Sequence, residues 1–262
     1  MIQHLHRRLR VDRAQVPHIV QHHLVADQDA GHRLRRPIML SAAVLPDVLP
    51  VTWLPQLLLG AKTTIVITVL SVAIGLILSV FLALGKMSRH MFINKICSAY
   101  IFFFRGTPLL MQIYFLYFGL PQFNPALTIR SAFVAAMIAY TLNTAAYLAE
   151  NIRAGIQSID KGQFEAARTI GMTGAQTMLL VIIPQTVRRL IPPVGNEFIM
   201  VLKDVSLVAI IGLADLTKVT RAISSSSATA LVYIPAMIIY LVITALFQFV
   251  FNKLEKRYSV YD

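Results

Sequence analysis

Charge is scarce in this chain. Asp, Glu, Lys and Arg supply 14% of its 262 residues, where an average soluble domain carries roughly 25%. That deficit points to a polytopic membrane protein before any motif is considered. Cysteine is scarcer. Cys97 stands alone, which excludes an internal disulfide and any multi-cysteine metal site; it reads as a small apolar filler. Past residue 38 one histidine is left, His90, in a basic loop, so no His/Asp/Glu cluster of catalytic spacing forms on one side. Neither a membrane enzyme nor a bound metal is expected. A phosphate-binding loop of the G-x-x-x-x-G-K-[ST] kind is missing too, so the chain does not hydrolyse ATP by that route.

What is abundant is apolar. Hydrophobic residues make up 56% of the chain and its mean hydropathy is +0.66. A helix needs about 20 apolar residues to cross a hydrocarbon core of roughly 30 Å. Five stretches qualify, at about 57–84, 97–120, 131–149, 177–202 and 229–251. The fourth is interrupted by Pro184, Pro192, Pro193 and Gly195. The expected fold is all-α, with five transmembrane helices. Lys62, near the start of the first, can snorkel to the interface.

Basic residues set the direction. Lys86, Arg89 and Lys95 follow the first span, Arg153, Lys161 and Arg168 the third, and Lys253, Lys256 and Arg257 the fifth. Only Arg130, Lys218 and Arg221 fall on the other side. The richer side is expected to be cytoplasmic. This accounts for the formal charge of +12 without a nucleic-acid partner. An odd number of spans then puts the N-terminus outside and the C-terminus in the cytoplasm.

Residues 1–38 conflict with that rule. They hold seven of the 16 arginines and six of the seven histidines, with no helical or strand period. No signal-peptide apolar core follows their basic stretch. They are expected to be an unstructured, non-native extension, with Met39 the true start and 39–262 the membrane domain. His18, His22 and His23 have a spacing that can bind metal on a helix, but Pro17 and the missing carboxylate or cysteine framework weigh against it.

Between the third and fourth spans, on the side read as cytoplasmic, lies EAARTIGMTGAQTMLLVIIP, residues 165–184. Asp160 with Gln163 makes a start resembling a capping box. Phe164, Ala167, Arg168 and Gly171 share a helical face, and Gly171 can end the helix. Thr173 with Gln176 opens a second helix that runs into the fourth span. Ala166, Ala167 and Gly171 carry no bulk and permit close approach of a partner. A loop helix packed on its own bundle fits the local pattern equally well.

The wider spacing tips the balance. Glu-Ala-Ala at 165–167, three residues, Gly171, nine residues, then Val181-Ile182-Ile183-Pro184 resembles the EAA signature of ABC importer permeases. Three further stretches resemble the polar amino-acid class of these permeases, the histidine/glutamine/arginine type. They are FFRGTPLLMQIYFLYFGLP (103–121), NTAAYLAENIRAGIQSIDKGQFEAARTIGM (143–172) and IPPVGNEFIMVLKDVSLVAIIGLADL (191–216). The likeness covers about residues 50–260. Val181 and Ile183 are conservative departures, and Val205 stands where the family usually has Thr.

The resemblance implies the type I ABC importer permease fold and a subunit of the bacterial inner membrane. It implies a translocation path for a polar amino acid delivered by a periplasmic or extracellular binding protein. It also implies two ATPase subunits and a second permease, either a copy or a sister chain. ATP and Mg would sit on the ATPases, and no cofactor on this chain. The EAA helix would be the coupling helix. Glu165 and Arg168 would orient it, Ala166 and Ala167 would allow close approach, and Gly171 would make the turn.

Polar groups inside spans are the default pathway candidates. Here they are Asn143, Thr144 and Glu150 on the third span and Asn196 and Glu197 on the fourth. Glu197 can pair a substrate ammonium, while Asn side chains or amides freed by the prolines can hold a carboxylate. Equally, Asn196 and Glu197 can stitch a broken helix to a neighbour. Gly106 and Pro108 read as a structural kink, with Thr107 capping, Pro108 at the first helical position and Arg105 turned to the cytoplasmic interface. Lys203 and Asp204 pair with each other or meet the binding protein, and Ser224–Ser227 reads as a flexible external loop. The competing function is an ion-gradient-driven secondary transporter or channel for small polar solutes. The chain lacks the obvious inverted repeat that many such folds carry.

Overall fold

The computed structural model describes residues 52–258. The extension at 1–38, its histidines and the start expected at Met39 lie outside the described residues. Every element among the described residues is helical. Helix α1 is Leu54–Lys86 and α2 is Met91–Gly106. Helix α3, Leu109–Phe123, is bent 103° away from α2. Then come α4, Ala132–Gln157, α5, Lys161–Thr169, and α6, Ile183–Asp204. A 3₁₀ stretch, Val205–Ile211, leads to α7, Leu216–Ser226, and to α8, Tyr233–Tyr258.

Length and composition qualify α1, α4 and α8 as membrane spans, and the α2–α3 pair as a fourth if it is one broken span. The stretch expected as a further span, 177–202, is helical, but Arg188, Arg189 and Glu197 interrupt its apolar run. By this measure the described residues give three or four spans rather than five.

The pairing of α1 with α4 is the frame. In lipid, helices associate through close packing rather than hydrophobic force, which favours small residues where they meet. Helix α4 buries Ala135, Ala136, Ala139, Ala145, Ala146 and Ala149. Helix α1 brings Gly75 against it, where a Cβ would come within 3.3 Å of the Thr141 carbonyl oxygen and Thr144 Cγ2. Helix α1 also buries Thr64, Thr68, Ser71 and Ser79. Each hydroxyl donates to a carbonyl three or four residues back, so none needs a partner in lipid.

The bundle has two distinct ends. One closes on Ala83, Ile101, Ile152, Ile156, Ile159 and Ile182, with Phe164 of α5 packed against them. The other closes on Leu57, Ala61, Leu216, Ile223 and Val232, and α7 lies there. Asp215 caps α7, its carboxylate accepting the Thr217 and Lys218 N–H groups at 2.9 Å. Burial pushes the Asp215 carboxyl up from its ordinary pKa, and those donors oppose the shift. The serine run expected as a flexible loop is the end of this helix instead. Ser226 and Ser227 turn their hydroxyls back onto the Ile223 carbonyl.

Pro192 and Pro193 do not interrupt α6, which is continuous through both. The irregularity lies ahead of it, in a π-helical turn at Thr177–Ile182. A second π turn, Phe115–Gly119, lies inside α3. Each comes just before a proline, Pro184 or Pro121. Proline has no N–H to give the carbonyl four residues back, and a π turn takes its donor five residues on. The π bonds run from Ile183 N–H to the Met178 carbonyl and from Leu120 N–H to that of Phe115, each ending one residue short of its proline.

Gly195, expected to break the helix, has a packing role. A Cβ there would lie 2.9 Å from Cγ of Phe251, so the missing side chain seats a ring of α8. Gly195→Ala is expected to destabilise the fold by about 1–3 kcal/mol through overpacking, read as a lower thermal midpoint in detergent. Adding Phe251→Leu should recover part of the loss. An unchanged midpoint in Gly195→Ala would contradict this seat.

Candidate functional site

Two sites draw on the same helix. The first is α5 with its joint to α6. Asp160 caps α5, but not as a capping box. Its Oδ1 accepts Gly162 N–H, while the side chain of Gln163 reaches Gln185 of α6 at 3.3 Å instead of folding back. The end of α5 is a Schellman turn. Gly171 has φ +85°, Gly171 N–H bonds the Arg168 carbonyl and Met172 N–H that of Ala167. Thr173 and Gln176 then form the full capping box expected of them.

Glu165, Ala166 and Arg168 are exposed, but Ala167 is buried within the chain. Phe164 and Ala167 are on the inward face of α5, so its outward face rests on Glu165, Ala166 and Arg168. Ile170, 78% exposed, stands beside them. Sequence reasoning passed over it because it follows the motif's alanines. Arg189 was missed as well. From α6 its Nη1 donates to the Ser158 carbonyl at 2.6 Å and to Ser158 Oγ at 3.0 Å. Helix α6 is thus tied to the segment that carries α5 by Arg189 and Gln185. A second contact is steric: a Cβ on Gly155 would lie 3.1 Å from Leu190 Cδ2.

The second site is a cavity of about 430 Å³ whose lining includes Arg105, Thr107, Asn143, Tyr147, Glu197 and Asp204. It forms at the elbow between α2 and α3. Thr107 does not cap α3, as expected, but ends α2. Its hydroxyl donates back to the Phe103 carbonyl at 2.8 Å, and Pro108 occupies the cap position of α3. Pro108 leaves the Phe104 carbonyl without its helical donor. The side chains of Gln112 and Asn143 supply one, each donating at 3.0 Å. Asn143 Nδ2 also donates to Gln112 Oε1 at 3.0 Å. Both hydrogens of that amide are then used, which leaves Asn143 Oδ1, an acceptor, for the cavity.

Arg105, expected at the cytoplasmic interface, instead lines this cavity, its guanidinium 5.3 Å from the centroid of the Tyr147 ring. Of the five pathway candidates, only Asn143 and Glu197 meet here. Thr144 is a helical step round from Asn143 and packs beside Gly75 of α1. Asn196, a step round from Glu197, is exposed outside the lining. Glu150 is held elsewhere, accepting Lys86 Nζ at 2.8 Å and the Arg153 guanidinium. Asp204 also lines the cavity, and its backbone carbonyl accepts the hydroxyl of fully buried Tyr140.

Comparison with known proteins matches residues 75–260 to the model of the binding-protein-dependent transport system inner membrane component. The chain is 38% identical, over 86% of its length and 95% of the relative's, to the L-cystine transport system permease protein TcyB of Bacillus subtilis (strain 168). It is 35% identical to the glutamine transport system permease protein GlnP of Escherichia coli (strain K12), over 79% of this chain and 94% of that one. Among solved structures, one described as a crystal structure of an amino acid ABC transporter with histidines aligns with a TM-score of 0.75 and 43% identity. It covers 79% of this chain and 96% of that one. An inward-facing MetNI methionine ABC transporter structure shares the fold, with a TM-score of 0.65 at 18% identity, covering 80% of this chain and 98% of that one.

Removing the charge of Glu150 should strand two cations that it holds. Glu150→Gln is expected to lower the thermal midpoint in detergent, by an amount equivalent to about 1–3 kcal/mol. A midpoint equal to that of the unsubstituted chain would make this group a surface ornament.

Proposed function

The chain belongs to the family of binding-protein-dependent transport system inner membrane components, and from that premise we propose how its parts divide the work. It is an amino-acid ABC transporter permease of the type I fold, a transport subunit rather than an enzyme. Its partners are a separate ATPase, which hydrolyses the ATP, and a substrate-binding protein.

In our reading the cargo is a polar amino acid. Two permeases, this chain with a second copy or a sister, stand over two ATPases that hold ATP and Mg. The end of the bundle with α5 faces the cytoplasm, in keeping with the basic residues gathered there, and the N-terminus is outside. Helix α5 is the coupling helix, docking through Glu165, Ala166 and Arg168, with Gly171 making its turn. The cavity at the elbow lies on the path. Arg105 takes the substrate carboxylate, and Glu197, Asp204 and Asn143 Oδ1 take the ammonium. This reverses the part foreseen for an asparagine, because the amide hydrogens of Asn143 are already used.

One observation carries this reading. Helix α6 belongs to both sites, with Gln185 and Arg189 at the α5 joint and Glu197 and Asp204 at the cavity. Coupling needs two states whose balance both ligands bias, and one rigid helix in both sites is a direct way to share them. No observation favours the ion-gradient alternative.

The test is uptake by vesicles holding the permease, its ATPase and its binding protein. ATP should drive accumulation of at least one of the twenty radiolabelled L-amino acids or L-cystine. Gly171→Asp should cut that uptake by at least about tenfold while ATP hydrolysis continues. Uptake that survives without ATP, or is untouched by Gly171→Asp, would overturn the proposal.

A further inference from the structure

The elbow between α2 and α3 is where the substrate path gains its one cation, and the chain's own backbone does not hold it. Pro108 removes the N–H that the Phe104 carbonyl would have taken, and the helix turns 103° there. Within a membrane domain an unpaired carbonyl is costly unless a side chain or water replaces the missing donor.

Asn143 of α4 supplies one replacement, and Gln112 supplies the other. Gln112 is 7% exposed, one turn into α3, and its amide reaches back across the bend. Its Nε2 shares its two hydrogens among the Phe104 carbonyl at 3.0 Å, the Thr107 carbonyl at 3.1 Å and Thr107 Oγ1 at 2.8 Å. Its Oε1 accepts from Asn143 of α4 at 3.0 Å. One side chain therefore spans the last turn of α2, the bend and the frame helix α4. Arg105 lies between the two residues that Gln112 grips, Phe104 and Thr107. Without Gln112, Asn143 alone would hold the Phe104 carbonyl, and the link from Thr107 across the bend to α4 would be lost.

We propose that Gln112 is the positioning residue of the cavity: by pinning the elbow to α4 it presents Arg105 to the substrate without touching the substrate itself. The inference rests on the transport reading only for its kinetic consequence; the geometry stands apart from it.

The experiment compares the unsubstituted complex of permease and ATPase, in lipid nanodiscs, with Gln112→Leu by cryo-electron microscopy and no substrate added. The bend should open and the Arg105 guanidinium leave the Tyr147 ring. An unchanged bend with Arg105 in place overturns the proposal. Should Gln112→Leu fail to fold, Gln112→Met is used instead, which keeps the length of the side chain but has no N–H to give Phe104 or Thr107, and Arg105 should again be displaced; an unchanged bend with Arg105 in place would overturn the proposal there too.

Uptake in vesicles of whichever of the twenty L-amino acids or L-cystine is carried gives the second readout. KM should rise at least about tenfold with the maximal rate within about twofold. A fallen rate at unchanged KM, the mark of fewer folded transporters, counts against positioning. If none is carried, the transport reading fails, and the elbow angle alone still decides the role of Gln112.

Discussion

A backbone carbonyl that loses its donor inside hydrocarbon has no water to turn to. Much of this structure answers that constraint. Two prolines follow π-helical turns, in which the donor comes from one residue further along. At Pro108 the answer is different in kind. The helix folds over by 103° and two side-chain amides from elsewhere take over the orphaned carbonyl. The helices run on through the π turns; the bend at Pro108 makes an elbow and, with it, a polar cavity. Where the chain places a proline, and which amide stands near it, thus separates a rod from a site.

Helix α6 gives the elbow its mechanical meaning. It is a continuous rod through Pro192 and Pro193, seated on α8 by the gap at Gly195. At one end Gln185 and Arg189 bind the segment that carries α5. Towards the other, Glu197 and Asp204 line the cavity opposite Arg105. A helix broken at the prolines would flex between these ends. In the proposed reading, a continuous one carries a displacement at α5 to the cavity as a change in its shape. The frame of α1 and α4, packed through alanines and Gly75, offers a surface against which such a rod can move.

The parts legible in the sequence are those set by short spacing. Gly171 as a turn and Thr173 with Gln176 as a capping box were readable because the groups that decide them lie within five residues of one another. The kink at Gly106–Pro108 was readable for the same reason, though not its size. What escaped depends on neighbours distant in the chain. Gln112 meets Asn143 across 31 residues, and Arg189 meets Ser158 across the same interval. Asn143 reads from the sequence as a polar group inside a span, but that it offers an acceptor rather than a donor follows from the two partners that consume its amide hydrogens. Thr144 and Asn196 lie outside the cavity lining because a helix turns about 100° per residue, so the neighbour of a cavity residue usually faces elsewhere. Glu150 lies outside the lining, paired with Lys86 and Arg153.

The central claim is that α5 and α6 move as one body while the cavity changes around them. Pulsed electron spin resonance distances in the intact complex test it directly, comparing nucleotide-free with ATP- and Mg-bound states. Labels at exposed Lys161 of α5 and Val187 of α6 report on the lever, and labels at exposed Leu110 of α3 and Met200 of α6 report across the cavity. The account predicts a constant first distance and a nucleotide-dependent second one. A first distance that shifts with nucleotide while the second stays fixed would contradict it.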